Sequence, residues 1–312
     1  MRRGHGGTVK IGLIHNTSAG DALALEAITQ AIHAHGHEVA ALATLTQGVA
    51  ALSLDRLDLV AAAGGDGTIA AAARALTGSL LPLGILAMGT ANNIAVCLGV
   101  PTTLDDAIAG WETARPRPLD LGVATGPWGE RRFVESVGGG LVTHGIVVMD
   151  RQETTSATTA AQLDRAVRTH AEVLGLLDAV PWTLTLDGEP VRGEFLMVEV
   201  LNVPAVGPNL QLADGASPWD GRLTVVTATA DDRHALGQYL RGRANGGGEP
   251  PALPTWHVRE VEILTGDRLH VDDDVVGEPG PLGARIRLEA GAVRVLVPES
   301  PTHLSERSAG TR

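Results

Sequence analysis

Leu57-Asp58-Leu59-Val60-Ala61-Ala62-Ala63-Gly64-Gly65-Asp66-Gly67-Thr68-Ile69-Ala70-Ala71-Ala72-Ala73-Arg74-Ala75-Leu76 is the stretch whose reading decides the fold. The apolar run before Gly64 reads as a buried strand, and the alanine-rich run after Thr68 as a helix. Three glycines between them permit a sharp turn and leave backbone N–H groups bare. A helix starting there aims its unpaired N–H groups and the positive end of its dipole at an anion. Strand, glycine turn and helix start together make a place to hold phosphate. Asp66 lies in the middle of it, badly suited to touch phosphate and well suited to hold a cation that does. A plain turn would need one glycine, not three around an acid.

Outward from this stretch, residues 10–14, 38–45, 57–63 and 83–87 read as strands. Residues 22–34, 50–54, 69–76, 94–98 and 104–111 read as helices. Strands alternating with helices predict a doubly wound α/β domain built on a parallel sheet over residues 1–118. Ligands of such sheets bind at the C-terminal ends of the strands. The polar turns 16–20, 64–68 and 89–93 all fall there.

After Pro118 the pattern changes to short alternating runs: 119–124, 132–137, 182–186, 193–201, 223–228, 260–265, 270–272, 284–288 and 293–297. Asp187-Gly188 is a hairpin signal. Helices are expected over 158–177 and 232–241, a loop over 244–254, and no internal repeat. Residues 119–298 therefore predict a second domain, mainly an antiparallel β-sandwich. Residues 299–312 read as a disordered tail.

The 312 residues suit two domains, and 44% hydrophobic with 19% charged residues suits a chain with a sizeable core. Aromatics make up only 3%, so that core is built from Ala, Val and Leu. A net charge of −12 argues against nucleic acid as a partner and against a large polybasic membrane patch. No apolar run approaches the roughly 20 residues of a membrane-spanning helix. Met1 to Gly7 is basic and glycine-rich, but no signal-peptide core follows. A single cysteine, Cys97 in an apolar run, excludes an internal disulfide and reads as a buried small hydrophobe. A cytoplasmic protein is the expectation, with peripheral contact at the inner membrane face compatible with it. A homodimer is compatible with this composition too.

Gly65-x-Gly67-x-x-Ala70 fits the loose dinucleotide fingerprint, but that reading wants an acid about 20 residues on. The next acid after Asp66 is Asp105. A P-loop is excluded, because the sole lysine, Lys10, lies elsewhere. His33, His35 and His37 straddle a helix end at Gly36 and read as solvated. His270 is given no role, and His15 borders the first turn. On residues alone, Asp272-Asp273-Asp274 reads as an exposed acidic turn.

The motifs taken together resemble the diacylglycerol kinase catalytic-domain family, which includes bacterial lipid kinases and sphingosine kinases and is distantly related to NAD kinases. The resemblance rests on Gly64-Gly65-Asp66-Gly67-Thr68 with Gly89-Thr90-x-Asn92 downstream. His15-Asn16-Thr17-Ser18-Ala19-Gly20 is similar to the family's first turn, and Leu119-Asp120-Leu121-Gly122 to the opening of its second domain. Asp220-Gly221-Arg222-Leu223 resembles its Asp-Gly-Leu-Leu loop. Val271-Asp272-Asp273-Asp274 stands in the place of its late Asp-Gly-Glu. Order and spacing cover nearly the whole chain.

The resemblance implies a nucleotide in a cleft between two domains. ATP phosphates would lie over Gly64, Gly65, Gly67 and Thr68, with Gly89, Thr90, Asn92, Thr44 and Asn16 nearby. An Mg²⁺–water network would run through Asp66. Asp220, with the backbone carbonyls of Ser217 and Arg222, would hold a separate structural Mg²⁺. The late acids would face the acceptor hydroxyl. Adjacent carboxylates raise one another's pKa, which favours a proton acceptor near neutrality. Along a strand Asp272 and Asp274 share a face, so either is a candidate base. Asp187-Gly188-Glu189 copies the catalytic tripeptide but reads as a hairpin tip.

The sequence departs from the family pattern at Ala70 and Ala71, where Asn-Glu is usual, at Asn93, where Asp is usual, and at Thr17, where lysine is common. The expected activity is transfer of the ATP γ-phosphate to a lipid hydroxyl, diacylglycerol first. A nucleotide-binding regulatory relative with weak catalysis, and a kinase of a soluble hydroxyl such as NAD, stay open beside it. Leu210 and Leu212 are apolar candidates for a lipid path.

Overall fold

The computed structural model describes residues 8–16, 21–151, 158–278 and 280–298. The first turn at 17–20 and the tail at 299–312 lie outside the described residues. In chain order the elements are β1 (Lys10–His15), α1 (Asp21–Ala34), β2 (Glu38–Thr44), β3 (Leu59–Gly64), α2 (Asp66–Ala75), β4 (Leu83–Ala87), α3 (Asn93–Cys97) and α4 (Leu104–Gly110). There follow β5 (Arg115–Gly126), β6 (Gly129–Phe133), β7 (Ser136–Gly140), α5 (Leu141–Asp150), α6 (Thr159–Leu176), β8 (Val180–Leu186), β9 (Glu189–Phe195) and β10 (Met197–Leu201). The chain continues through β11 (Ala205–Val206), β12 (Leu210–Gln211), β13 (Leu223–Ala228), α7 (Arg233–Ala244) and β14 (Thr255–Val258). It closes with β15 (Glu260–Thr265), β16 (Leu269–Val271), β17 (Asp274–Val276) and β18 (Leu282–Val297). Two short 3₁₀ turns, Val49–Ala51 and Leu54–Arg56, stand where one helix was expected over 50–54.

The chain forms two compact units. The first takes residues up to Met88, Ala95–Pro118 and the chain from Val293. The second takes Gly89–Ile94 and Leu119–Ala292. The first unit is a parallel sheet in the order β2-β1-β3-β4, with Val295 of β18 beside Leu83 of β4. All six residues of β3 are buried, which is why this strand reads as a continuous apolar run and not as an alternation. Ile28 and Ile32 of α1 and Ile108 of α4 join Ile11, Leu13, Leu59 and Ala61 in one core. Ile69, Ala70 and Ala73 of α2 are buried where that helix packs on β3 and β4.

The second unit holds two antiparallel sheets. One runs β18-β15-β8-β9, with β5 and β6 attached, and the other runs β14-β13-β10-β7-β16-β17. Their facing sides share a core that includes Trp182, Leu184, Val261 and Ile286 from the first and Val137, Val198, Val225 and Leu269 from the second. The opposite face of the second sheet carries Met197, Leu201, Val226 and Ala228 against Leu141, Leu174, Leu236 and Tyr239 of α5, α6 and α7. The sandwich is thus backed by a helical layer.

Two expected single strands are divided. The run 193–201 breaks at Leu196, and β9 and β10 belong to different sheets. The run 132–137 breaks likewise between β6 and β7. The chain changes sheets at these corners, and the apolar residues around each break, Phe133 and Val134 in one and Phe195, Leu196 and Met197 in the other, are buried, so no exposed residue marks the change of sheet. Conversely, 284–288 and 293–297 are parts of the one long strand β18, with Gly291 between them at φ 60°. Asp187 and Gly188, with φ 47° and 93°, form the expected two-residue hairpin.

Candidate phosphotransfer site

In the first unit the C-terminal ends of the parallel strands are level. His15 pairs with Thr44 and with Ala63, and Gly64 pairs with Ala87. Asn16, Thr44 and Gly64 to Thr68 are thereby brought to one edge of the sheet. The Thr44 hydroxyl contacts Thr46 at 2.9 Å and Gln47 at 3.2 Å. Gly65 caps α2 and, being a glycine, supplies no side-chain acceptor, so the first turn of the helix is open to an anion. Asp66 opens that turn.

The glycines are needed for a different reason than the sequence suggests. None of Gly64, Gly65 and Gly67 has a positive φ, and Gly65 is extended at φ −83°. Gly64 is the last residue of β3, and a Cβ there would lie 2.4 Å from Thr68 Oγ1. The absence of Cβ, not left-handed backbone, lets α2 start so close to the strand. Thr68 is buried and donates its N–H to the Gly65 carbonyl at 3.0 Å.

Gly89, Thr90 and Asn92 belong to the second unit. Asn92, at φ 55°, closes its own turn twice: its Oδ1 accepts from the Gly89 N–H at 2.9 Å and its Nδ2 donates to the Gly89 carbonyl at 3.1 Å. The Thr90 hydroxyl donates to Gln162 of α6 at 2.9 Å. Asn93 is buried and its amide donates to the Gly207 carbonyl at 3.0 Å. A carboxylate has no proton for that bond, which explains why an amide stands here.

Asp120 is a buried fastener. Its two oxygens accept from the N–H groups of Gly221, at 3.0 Å, and Gly291, at 2.8 Å. Asp220 is exposed and accepts from the Arg222 N–H at 2.9 Å. Ser217 lies half-buried three residues before it. Asp220 also lines a pocket of about 640 Å³ with Gly221, Arg259, Arg285 and Arg287. Among the described residues no group of three or more His, Cys, Asp or Glu side chains is arranged to hold a metal ion.

The acidic triplet differs from its expected strand. β16 ends at Val271, which pairs with Asp274 of β17, so Asp272 and Asp273 form the turn between them. Asp272 has φ 50° and is buried. Its carboxylate accepts from the Val134 N–H at 3.0 Å and the Glu135 N–H at 2.8 Å, and its own N–H donates to Ser136. Asp274 is exposed and paired with Arg131 at 3.3 Å. The two acids therefore do not share a strand face. A carboxylate holding backbone N–H groups is stabilised in its charged form and makes a poor base.

His37, expected to be solvated, is buried against Trp111, with ring centroids 6.1 Å apart. Burial holds its pKa below the ordinary imidazole value, with the Glu112 charge opposing and His35 adding to the depression. His270 is fully buried beside Glu199, 3.4 Å from Nε2 to Oε2. The signal for this pair was a lone acid in the apolar run Met197-Val198-Glu199-Val200-Leu201 and a lone histidine in Leu269-His270-Val271, two residues before the triplet.

Residues 10–124 match the family model of the diacylglycerol kinase catalytic domain. Among individual proteins, it is 28% identical to a diacylglycerol kinase of Bacillus subtilis (strain 168) over 231 residues, 69% of this chain and 72% of that one. It is 27% identical to a diacylglycerol kinase of Mycobacterium tuberculosis over 249 residues, 77% of each. The fold matches the crystal structure of a diacylglycerol kinase from Bacillus anthracis with a TM-score of 0.65 at 19% identity, covering 94% of this chain and 98% of that one.

Proposed function

We propose that this chain is an ATP- and Mg²⁺-dependent lipid kinase that transfers the γ-phosphate to the hydroxyl of diacylglycerol. The observation that carries the reading is the glycine turn at the ends of four parallel strands, opening a helix whose first turn has no side-chain cap. The names of the relatives, diacylglycerol kinases, support the acceptor class.

Phosphoryl transfer demands positioning of the phosphates, neutralisation of their charge and a group to take the hydroxyl proton. N–H groups at the start of α2 receive phosphate oxygens. Asp66, in the same turn, would hold the cation, and Mg²⁺ would supply charge neutralisation when bound. Asp220 with the carbonyls of Ser217 and Arg222 is an all-oxygen set that suits a hard cation, in keeping with a structural role. Of the acids in the triplet, Asp274 is the accessible proton acceptor, and Asp272 anchors the turn that presents it.

A nucleotide-binding regulatory relative is the second reading. It is favoured by Asn93, whose amide is committed to the Gly207 carbonyl where the family usually carries an acid. The test is transfer of labelled γ-phosphate from ATP with Mg²⁺ to a panel of lipids in mixed micelles, and to NAD. Asp66→Ala and Asp274→Asn are run beside the unaltered protein. A labelled diacylglycerol made only by the unaltered protein is the expected result. No lipid product, with ATP binding intact, would transfer the case to the regulatory reading, and labelled NAD to a soluble-substrate kinase.

A further inference from the structure

Beneath the acidic hairpin lies a buried polar cluster that the proposed chemistry does not use. Glu199 of β10 and His270 of β16 both stand opposite Gly138 of β7 in the register of their sheet. All three face the helical layer, since Val137, Val198, Val200, Leu269 and Val271 point the other way into the sandwich core. Gly138 lacks the Cβ that would otherwise lie 2.4 Å from Glu199 Cδ. The two side chains meet across that space, Nε2 to Oε2 at 3.4 Å, with no solvent exposure on either.

Hydrogen positions follow from the neighbours. The Thr143 hydroxyl donates its one proton to the Gly138 carbonyl at 3.1 Å. Toward His270 Nδ1, 2.7 Å away, the same oxygen is an acceptor, so Nδ1 carries a proton. Nε2 faces Ser136 Oγ at 3.2 Å and the Glu199 carboxylate. Among the described residues no group other than His270 is placed to donate a hydrogen bond to either Glu199 oxygen. A bare Nε2 would leave that carboxylate buried with no compensating charge, which is strongly unfavourable. A proton on Nε2 removes the cost, and the ring is an imidazolium.

The pair is continuous with the hairpin. Ser136 contacts His270 through its hydroxyl and receives the Asp272 N–H through its carbonyl. The preceding N–H groups, of Val134 and Glu135, hold the Asp272 carboxylate. We propose that Glu199 and His270 are positioning residues for the acidic hairpin, a buried carboxylate–imidazolium pair that fixes Asp272 to Asp274 in place and sets a positive charge beneath them. The inference rests on the reading of this hairpin as the proton-accepting element.

The charged and titratable groups that face His270 are Glu199 from β10, Asp272 and Asp273 from the turn, and His170 from α6. Burial pulls the His270 pKa down; Glu199, with Asp273 and Asp272, more than reverses this and holds it above the ordinary value. His170 is the neutral neighbour. It gives its Nδ1 proton to the Ala166 carbonyl at 2.8 Å, and burial together with the His270 charge holds its pKa low.

The test combines spectroscopy and kinetics. Imidazole ¹⁵N NMR of the unaltered protein at about pH 8 should show His270 protonated on both nitrogens, where an unperturbed histidine is neutral. A neutral ring there overturns the charge assignment whatever the variants do. His270→Gln and Glu199→Gln should each lower kcat by roughly tenfold to a hundredfold, the scale of a misplaced catalytic group, with KM for ATP unchanged. The acidic limb of the pH–rate profile should move upward in His270→Gln, because a positive charge near the triplet is lost. The apolar double variant Glu199→Met/His270→Leu separates position from stability, since such swaps often leave folding intact. Folded double variant with low kcat supports the proposal; folded with full kcat overturns it. Asp274→Asn is the control on the underlying reading. Should it stay active, the hairpin is not the proton acceptor and that reading fails. An inactive Asp274→Asn beside a His270→Gln enzyme of unchanged rate and pH profile sinks only the positioning role.

Discussion

Asp272 accepts the N–H groups of Val134 and Glu135 from a turn at φ 50°, while Asp274, two residues on, is paired with the exposed Arg131. Substitutions should separate along that line. Asp272→Ala orphans two N–H groups, at about 1–3 kcal/mol each, and places an alanine in left-handed backbone. Its melting temperature should fall sharply in a thermal scan. Asp274→Asn breaks an exposed pair worth about 0–1 kcal/mol, so melting should hold steady. Loss of the proposed general base should nevertheless lower the proposed lipid phosphorylation by roughly a hundredfold or more. Gly64→Ala argues the phosphate turn in the same way. The added methyl meets the buried Thr68 hydroxyl at 2.4 Å. Overpacking of that kind costs about 1–3 kcal/mol, and α2 must shift to relieve it. Titration with a fluorescent ATP analogue should register weaker binding than in the unaltered protein. Unchanged ATP affinity in a folded Gly64→Ala variant would remove this turn from the nucleotide site.

At the scale of elements, the parallel sheet was legible because its strands are buried on both faces and separated by helices, a pattern that β3 and the alanine run of α2 carry openly. The glycine turn was legible for the same reason, since it sits where strand gives way to helix. The corners of the sandwich were not. β9 and β10 pass from one sheet to the other without a polar interruption, and periodicity cannot mark a change of partner. α5 was hidden by its composition, as Val and Ile are weak helix formers; it stands because Leu141 and Val142 pack into the helical-layer core. The acidic triplet does form a turn, as its residues alone suggest, but Asp272 and Asp274 do not share a strand face, and the Glu199–His270 pair is invisible until β10, β7 and β16 are placed side by side. These buried histidines give a pH dependence whose sign can be worked out. His37 and His170 are held below 6.5, so their contribution is whole above that pH and is lost as pH falls from 6.5 through the lowered folded values. His270 is held above 6.5, so its contribution is whole below that pH and is lost as pH rises through the raised folded value. Melting temperature measured from about pH 5 to about pH 9 should therefore decline on both sides of neutrality. In His270→Gln the alkaline decline should shrink while the acid one persists. An alkaline limb identical in the variant would assign that limb to other groups.

For the whole molecule, net charge decides how a lipid acceptor is approached. The chain carries −12 at neutral pH, and none of its described helices is long and apolar enough to cross a membrane. A diacylglycerol substrate would have to be met at a bilayer surface, and anionic lipids make that surface negative. Like charges repel over the Debye length, which shrinks from about 30 Å at 0.01 M salt to about 8 Å at 0.15 M. A concentration of arginines in one pocket, Arg259 with Arg285 and Arg287, is a weak counterweight. Arg285 is paired with Glu260 and Arg287 with Glu130 at 3.3 Å, so two of the three charges are already answered. Transfer to diacylglycerol in phosphatidylglycerol-rich vesicles should thus speed up as salt rises across that range. The rate on phosphatidylcholine vesicles should stay flat, because no surface charge is there to be screened. Both series are read as initial rates at fixed ATP and Mg²⁺, with lipid below saturation. A rate that instead falls with salt on the anionic vesicles would mean that a local cationic contact outweighs the net charge. Arg259→Ala, which removes the pocket arginine that has neither of these carboxylate partners, would then be expected to abolish the salt effect.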